Sequence, residues 1–183
     1  FLASQAIMLS LAGVPGIYVH SLFGSRSWRE GVALTGHNRT INREKFRCDE
    51  LERSLANPSS LRHKVFYPYL HLIRTRAAHP AFHPNGAQEV LFGSEALFVL
   101  VRTSPEGDEK VLCVHNVSDT TQSFQADLKA LSIRHAGALR DVISGMSCLV
   151  SDGDNLTLTV GPYQVLWLTG ERGRNSDFTR FYS

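Results

Sequence analysis

The chain is short of cysteine, of net charge and of long apolar runs, and each shortage narrows what it can be. Three cysteines, Cys48, Cys113 and Cys148, stand far apart among 183 residues. Their odd number and the absence of a CxxC pair argue against a zinc or redox site and for free thiols in a reducing cytoplasm. Nineteen Lys+Arg face 17 Asp+Glu, a net charge of +2. That balance gives no electrostatic reason to expect nucleic acid or a membrane surface as partner. The longest apolar stretch, Ile7 to Val19, is interrupted by Ser10, Gly13, Pro15 and Gly16, too short and too broken to span a bilayer. There is no internal repeat and no low-complexity tract. The first residue is Phe1, followed by a helical apolar pattern without a basic leader. The expectation is therefore no signal peptide and a chain cut out of something longer.

What is present is an ordinary globular composition, 43% hydrophobic and 20% charged. The length holds one domain, or one small domain plus part of another, and falls short of the roughly 200 residues of a complete (β/α)8 barrel. The pattern changes near residue 86. Leu2, Ala6, Leu9 and Ala12 recur on one face of a helix that ends at Gly13. Val14-Pro15-Gly16 signals a turn, and Gly16 to His20 reads as a strand buried on both faces, as in a parallel sheet. Asp49 to Leu55 is a short helix. A longer one starts at Ser59 or Ser60 as N-cap and runs to about Ala78, with Leu61, Val65, Tyr69 and Leu72 on its buried face. Pro68 inside it should kink it or mark its true start.

Beyond Glu89 the period becomes that of strands: Val90 to Phe92, Ala96 to Val101, Lys110 to Val117, Thr121 to Leu128, Ala138 to Ile143, Asn155 to Val160 and Tyr163 to Thr169. Turn residues separate them, which predicts an antiparallel β-sandwich or meander. Phe92, Phe98, Phe124 and Trp167 fall in apolar patterns that read as core. The fold class is therefore α/β plus all-β. Residues 1–86 form the end of an α/β unit, 87–170 a small antiparallel β domain, and 171–183 a polar tail.

The chemistry concentrates after the predicted strand. In a β/α barrel the residues following a strand lie on the active-site face. Here those are His20 to Ser25, followed by Thr35-Gly36-His37-Asn38-Arg39-Thr40-Ile41-Asn42-Arg43-Glu44-Lys45, dense in hydrogen-bonding groups. Arg39 and Arg43 offer planar forks suited to carboxylates, phosphates or sugar hydroxyls. Asp49, Glu50 and Glu52 have the spacing of a solvated helix face rather than a catalytic set. His63, His71 and His79 stand eight apart, which argues against a metal site. Trp28 could stack on a sugar ring, and His20 reads as a packed histidine. The sequons at Asn38, Asn116 and Asn155 read as chance matches.

Gly13-Val14-Pro15-Gly16-Ile17-Tyr18 resembles the turn and last barrel strand of the α-amylase superfamily. The continuation, His20 to Arg26 and then Asn38 to Lys45 with its Ile-Asn-Arg motif, is similar to the sucrose phosphorylase branch. Leu72-Ile73-Arg74 through His79-Pro80 to Leu91 resembles the final barrel helix and the entry to the C-terminal β domain. The resemblance implies the end of a (β/α)8 barrel followed by a small antiparallel β-sandwich. It also implies a cytoplasmic, cofactor-free enzyme of carbohydrate metabolism that performs a retaining double displacement on an α-glucoside such as sucrose, with phosphate as acceptor. The family's essential carboxylates precede the last barrel strand, so no catalytic residue transfers to this chain, which alone should be inactive. Arg43 matches the arginine that lines the glucosyl subsite, and Arg39 and His37 are candidates for the acceptor side. Truncating Arg102 in the β domain is expected to leave the chemistry unaffected. Ile7, Leu9, Leu11, Ile17 and Val19 cannot all be buried by what remains, so self-association, or packing of this segment in a non-barrel way, is expected. The alternatives are an α-glucoside hydrolase of the same superfamily and a non-catalytic carbohydrate-binding or structural β module.

Overall fold

The computed structural model describes residues 1–151 and 153–170, so the predicted tail lies outside the described residues. The chain forms two compact units. Of the described residues, one combines 3–14 with those between 75 and 170, and the other is built from residues 15–74.

The first unit begins with helix α1 (Leu2–Ser10) and continues, after the long helix described below, into a short 3-10 helix (Pro80–Phe82). Eight strands follow: β1 (Ala87–Leu91), β2 (Leu97–Thr103), β3 (Lys110–Asn116), β4 (Gln122–Asp127), β5 (Ala138–Asp141), β6 (Ser147–Leu149), β7 (Asn155–Val160) and β8 (Val165–Thr169). Six make one sheet in the order β1-β2-β3-β8-β5-β6, and β4 pairs with β7 in a second sheet. All pairings are antiparallel. The expected strands form, with β6 added. It is three residues long and carries no periodicity from which it could be read.

The two sheets show why the sequence pattern differs between strands. In β7, Leu156, Leu158 and Val160 point inward and alternate with exposed Asn155, Thr157 and Thr159, the signature of a strand with one wet face. By contrast, β2 and β3 are apolar almost throughout, because both faces of the large sheet are buried. One face packs Val99, Val101, Leu112, Val114, Leu139 and Leu168 against Leu156, Leu158 and Val160. Full burial of each such side chain stabilises the fold by roughly 1.5–3 kcal/mol. On the opposite face Trp167 packs on Phe82, with ring centroids 4.6 Å apart. Trp167 is core, as expected. Phe124 packs partly buried against the core, and Phe98 is half-buried. Phe92 departs from the expectation: it lies in the β1–β2 connection and is 96% exposed. An alternation count carried one residue past the strand end assigns it a face it does not have.

Arg102 also sits on that second face, fully buried. Its guanidinium donates to the carbonyls of Ser10 (3.0 Å), His83 (2.8 Å), Ala87 (3.2 Å) and Gly86 (3.4 Å). Arg76 donates to the carbonyls of Leu9, Leu11 (3.2 Å) and Gly13 (2.7 Å). The two arginines thus satisfy carbonyls at and beyond the C-terminus of α1, which its own turns leave without donors. Burial pulls both guanidinium pKa values down, and for Arg76 the nearby charge of Arg102 adds to the effect. Arg102 is therefore a structural strut, and truncating it should cost the fold stability.

The second unit holds α2 (Val19–Leu22), α3 (Arg29–Thr35), a 3-10 turn (Asn38–Asn42), α4 (Cys48–Ala56) and most of α5 (Leu61–Ala78). The predicted strand at Gly16 to His20 does not form. Residues 14–18 are irregular, and Val19 and His20 open a one-turn helix. A parallel strand needs neighbours on both sides for its N–H and C=O groups, and among the described residues no strand pairs with this segment. Val14, Tyr18 and Val19 are accordingly exposed, whereas Leu9 is fully buried. Helix α5 starts as predicted: the Ser60 hydroxyl accepts the His63 N–H at 3.0 Å. It runs through Pro68, which therefore does not mark its start. Val65, Tyr69 and Leu72 are buried, but Leu61, in the first turn, is 45% exposed.

Candidate functional site

The second unit is organised around an aromatic cluster. Phe23 stacks on Phe66 with centroids 5.1 Å apart and meets the edge of Phe46 at 5.5 Å. His20 packs on Phe46 at 4.6 Å and contacts the Ser25 hydroxyl at 3.2 Å. It is the packed histidine the sequence suggested. Gly24 closes the turn between them with φ +60°, and a Cβ there would lie 2.8 Å from Val65, so only glycine fits.

This scaffold holds the polar loop in place. Helix α3 ends at Gly36 in the left-handed conformation, and the Gly36 N–H reaches the Val32 carbonyl, a glycine C-cap. The Thr35 hydroxyl donates to Gly31 O at 2.8 Å and lies 2.9 Å from the Thr40 hydroxyl. The Tyr18 hydroxyl donates to Asn42 O at 2.6 Å, and the Trp28 N–H to Ile41 O at 2.8 Å. The Thr40 N–H bonds His37 O, and the Arg43 N–H bonds Thr40 O. The backbone from 35 to 43 is therefore tied at several points, while the side chains of His37, Arg39 and Arg43 are exposed. Among the described residues none of these three enters an ion pair. They sit on one short segment of the chain. The arrangement presents cationic hydrogen-bond donors to solvent without an internal counter-charge.

The acidic residues have a different fate. Asp49 and Glu50 occupy the first turn of α4. Asp49 pairs with Arg47 (3.5 Å) and Arg53 (3.4 Å), and Glu50 with Arg47 (3.4 Å), all well exposed. This is a solvated helix face with weak surface pairs, as read from the spacing. Among the described residues no three His, Cys, Asp or Glu side chains cluster so as to hold a metal ion. All three cysteines are free, and burial pushes the Cys113 thiol far above its ordinary pKa. The Asn116 amide is buried and donates to the carbonyls of Thr120, Val160 and Gly161, so that sequon is closed to modification. Among the described residues no helix is long and apolar enough to cross a membrane.

Known proteins resemble the chain along nearly its whole length. No family model matches the sequence. The chain is 45% identical over 177 residues to a glucosylglycerate phosphorylase of Spirochaeta thermophila, covering 95% of this chain and 30% of that protein. It is 39% identical to the glucosylglycerate phosphorylase of Allomeiothermus silvanus (92% and 26%) and 32% identical to that of Escherichia coli (92% and 28%). Among solved structures, AmyP in complex with maltotriose superposes with a TM-score of 0.71 at 15% identity, over 93% of this chain and 35% of that one. The α-amylase of H. orenii gives 0.65 at 18%, over 93% and 35%. The chain is thus similar in sequence to glucosylglycerate phosphorylases and shares its fold with α-amylases. The resemblance to the phosphorylase-containing branch stands, and so does the fold class, a barrel end joined to an antiparallel β domain. The chain spans about 30% of the length of the Spirochaeta relative.

The site reading missed Arg62, which packs over Phe46 and bonds Ser25. Its only signal in the sequence is a cation in the first turn of α5. The ring that holds it lies sixteen residues upstream in a loop, beyond the reach of helical spacing.

Proposed function

We propose that this chain is part of a phosphorylase that transfers a glucosyl unit from an α-glucosylated small acid, glucosylglycerate, to phosphate. The observation that carries the reading is 45% identity to a glucosylglycerate phosphorylase across 95% of the chain. The exposed, unpaired cations Arg39 and Arg43 and the neighbouring His37 support it. Both partners of the reaction, phosphate and the glycerate carboxylate, are anions that arginine forks bind well. A retaining double displacement needs a carboxylate nucleophile and a proton donor, and no residue of this chain takes either role. The chain's contribution is to bind and orient, with Arg43 toward the glucosyl unit and Arg39 and His37 toward the acceptor. Free thiols and a phosphate co-substrate support a cytoplasmic reaction.

The test uses a protein containing this sequence together with a catalytic barrel of the relatives' length. It is supplied with glucosylglycerate, sucrose or an aryl α-glucoside, with and without phosphate. Phosphate-dependent release of glucose 1-phosphate, fastest from glucosylglycerate, is expected. Equal rates without phosphate would mean a hydrolase, and preference for sucrose would overturn the acid-specific reading. The 183-residue chain alone should show no turnover.

A further inference from the structure

The second unit contains a cleft of about 450 Å³, lined among others by Arg26, Trp28, Arg29, Glu30, Glu44 and Arg62. Arg62 is the cation that the fold holds in place there. Its guanidinium lies 4.8 Å from the centroid of the Phe46 ring and donates to the Ser25 hydroxyl at 3.2 Å. It is half-buried, and among the described residues no carboxylate comes within ion-pair distance of it. Glu30 and Glu44 line the same cleft without pairing to it. A guanidinium carries five donors, and the single protein bond leaves most of them for a ligand. Stacking on an aromatic face fixes the plane of the fork at little further entropic cost. Trp28 supplies an apolar wall. Its ring lies so close over Gly31 that a Cβ there would fall 2.1 Å from it, and its backbone N–H donates to the Ile41 carbonyl, two residues before Arg43.

We infer that this cleft is a binding site for a small oxyanion, with the Arg62 fork as its recognition element and Trp28 as the wall against the ligand's carbon chain. The inference rests on the phosphorylase reading, which supplies two such anions, a hydroxy-carboxylate and inorganic phosphate. The carboxylate is the expected occupant, since the aromatic wall suits carbon rather than a bare phosphate.

The chain has two tryptophans, and Trp167 is fully buried, so Trp28 is an intrinsic fluorescent reporter of the cleft. The experiment titrates the 183-residue chain with D-glycerate, with inorganic phosphate and with glycerol as the uncharged analogue. D-glycerate should give a saturable change that Trp28→Phe abolishes, and glycerol should give none. Arg62→Met should weaken binding at least about tenfold, as expected for losing a charge-assisted bond. Arg62→Lys should recover little of it. Glu44→Gln removes a negative charge from the cleft and should tighten binding. That opposite sign keeps the test decisive if Arg62→Met fails to fold. Phosphate binding more tightly than glycerate would support the oxyanion site and assign it to the inorganic anion. No saturable response to either anion, or affinity unchanged in a folded Arg62→Met, overturns the inference. Because binding is read on this chain and phosphorolysis on the longer protein, either idea can fail while the other stands.

Discussion

Replacing Arg102 with methionine should damage the fold more than any surface change in this chain. The guanidinium is fully buried and donates to four backbone carbonyls, from Ser10, His83, Gly86 and Ala87. Methionine fills much of the volume but returns no donor, so the four carbonyls lose the guanidinium's bonds in a buried site, His83 O keeping its bond from the Gly86 N–H. Each buried carbonyl left without a donor costs about 1–3 kcal/mol, so losing the guanidinium's four bonds should cost about 3–5 kcal/mol in total. The costs do not add, because a relaxed site shares them. For a chain of this size 1 kcal/mol is worth about 2–4 °C, so the melting temperature should fall by about 6–20 °C. The assay is calorimetry or denaturant unfolding of the chain, with Arg43→Ala as the comparison, since exposed Arg43 should stay within about 0.5 kcal/mol of the parent. An Arg102→Met protein as stable as Arg43→Ala would refute the strut assignment.

Three further outcomes follow from the same structure. His115 accepts the Trp167 indole N–H at Nε2 and contacts Phe98 O through Nδ1, a neutral arrangement, and burial pulls its pKa down to about 4. The unfolded chain binds that proton near pH 6.5, so stability should fall as pH drops from about 6.5 to 4, by on the order of 3 kcal/mol, and His115→Gln should flatten that slope. In a protein that includes the catalytic barrel, Arg43→Ala should lower kcat/KM about 10- to 150-fold with unchanged melting temperature, and Arg43→Lys should restore little; steady-state phosphorolysis decides it, and wild-type kinetics would remove Arg43 from the substrate. Gly24→Ala forces a Cβ to 2.8 Å from Val65 at φ +60° and should cost about 2 kcal/mol or more in denaturant unfolding.

Elements with strong local patterns were legible. The alternation Asn-Leu-Thr-Leu-Thr-Val marks β7, and Ser60 before an apolar helical face marks the start of α5. Helix α3 went unread although Gly36 caps it, because its start carries no capping side chain and its residues show little apolar periodicity. The segment at Gly16 to His20 has the composition of a parallel strand, but composition cannot supply the neighbours that a strand needs. For the candidate site, the density of polar groups pointed to the segment holding His37, Arg39 and Arg43, and the family resemblance to Arg43. Arg62 escaped because its meaning depends on Phe46 and Ser25, which only folding brings to it.

Arg43 and Arg102 show where closer reading of the sequence would have gone further. Arg43 follows a 3-10 turn in a segment rich in Asn, Thr and Gly, and nothing in that pattern buries it. Arg102 ends the run Leu-Phe-Val-Leu-Val-Arg-Thr, in which both alternating sets are apolar. Two apolar sets mean that both faces are covered, and period two puts Arg102 on the face of Leu100. A charge at such a position must find hydrogen-bond acceptors inside the protein. Here the acceptors are carbonyls, not carboxylates, so a search for ion pairs in the sequence would have found nothing. The same side chain is therefore a buried strut in one place and a solvent-facing hydrogen-bond donor in the other. The difference lies in how many apolar neighbours its face carries, which the period of the surrounding residues already shows.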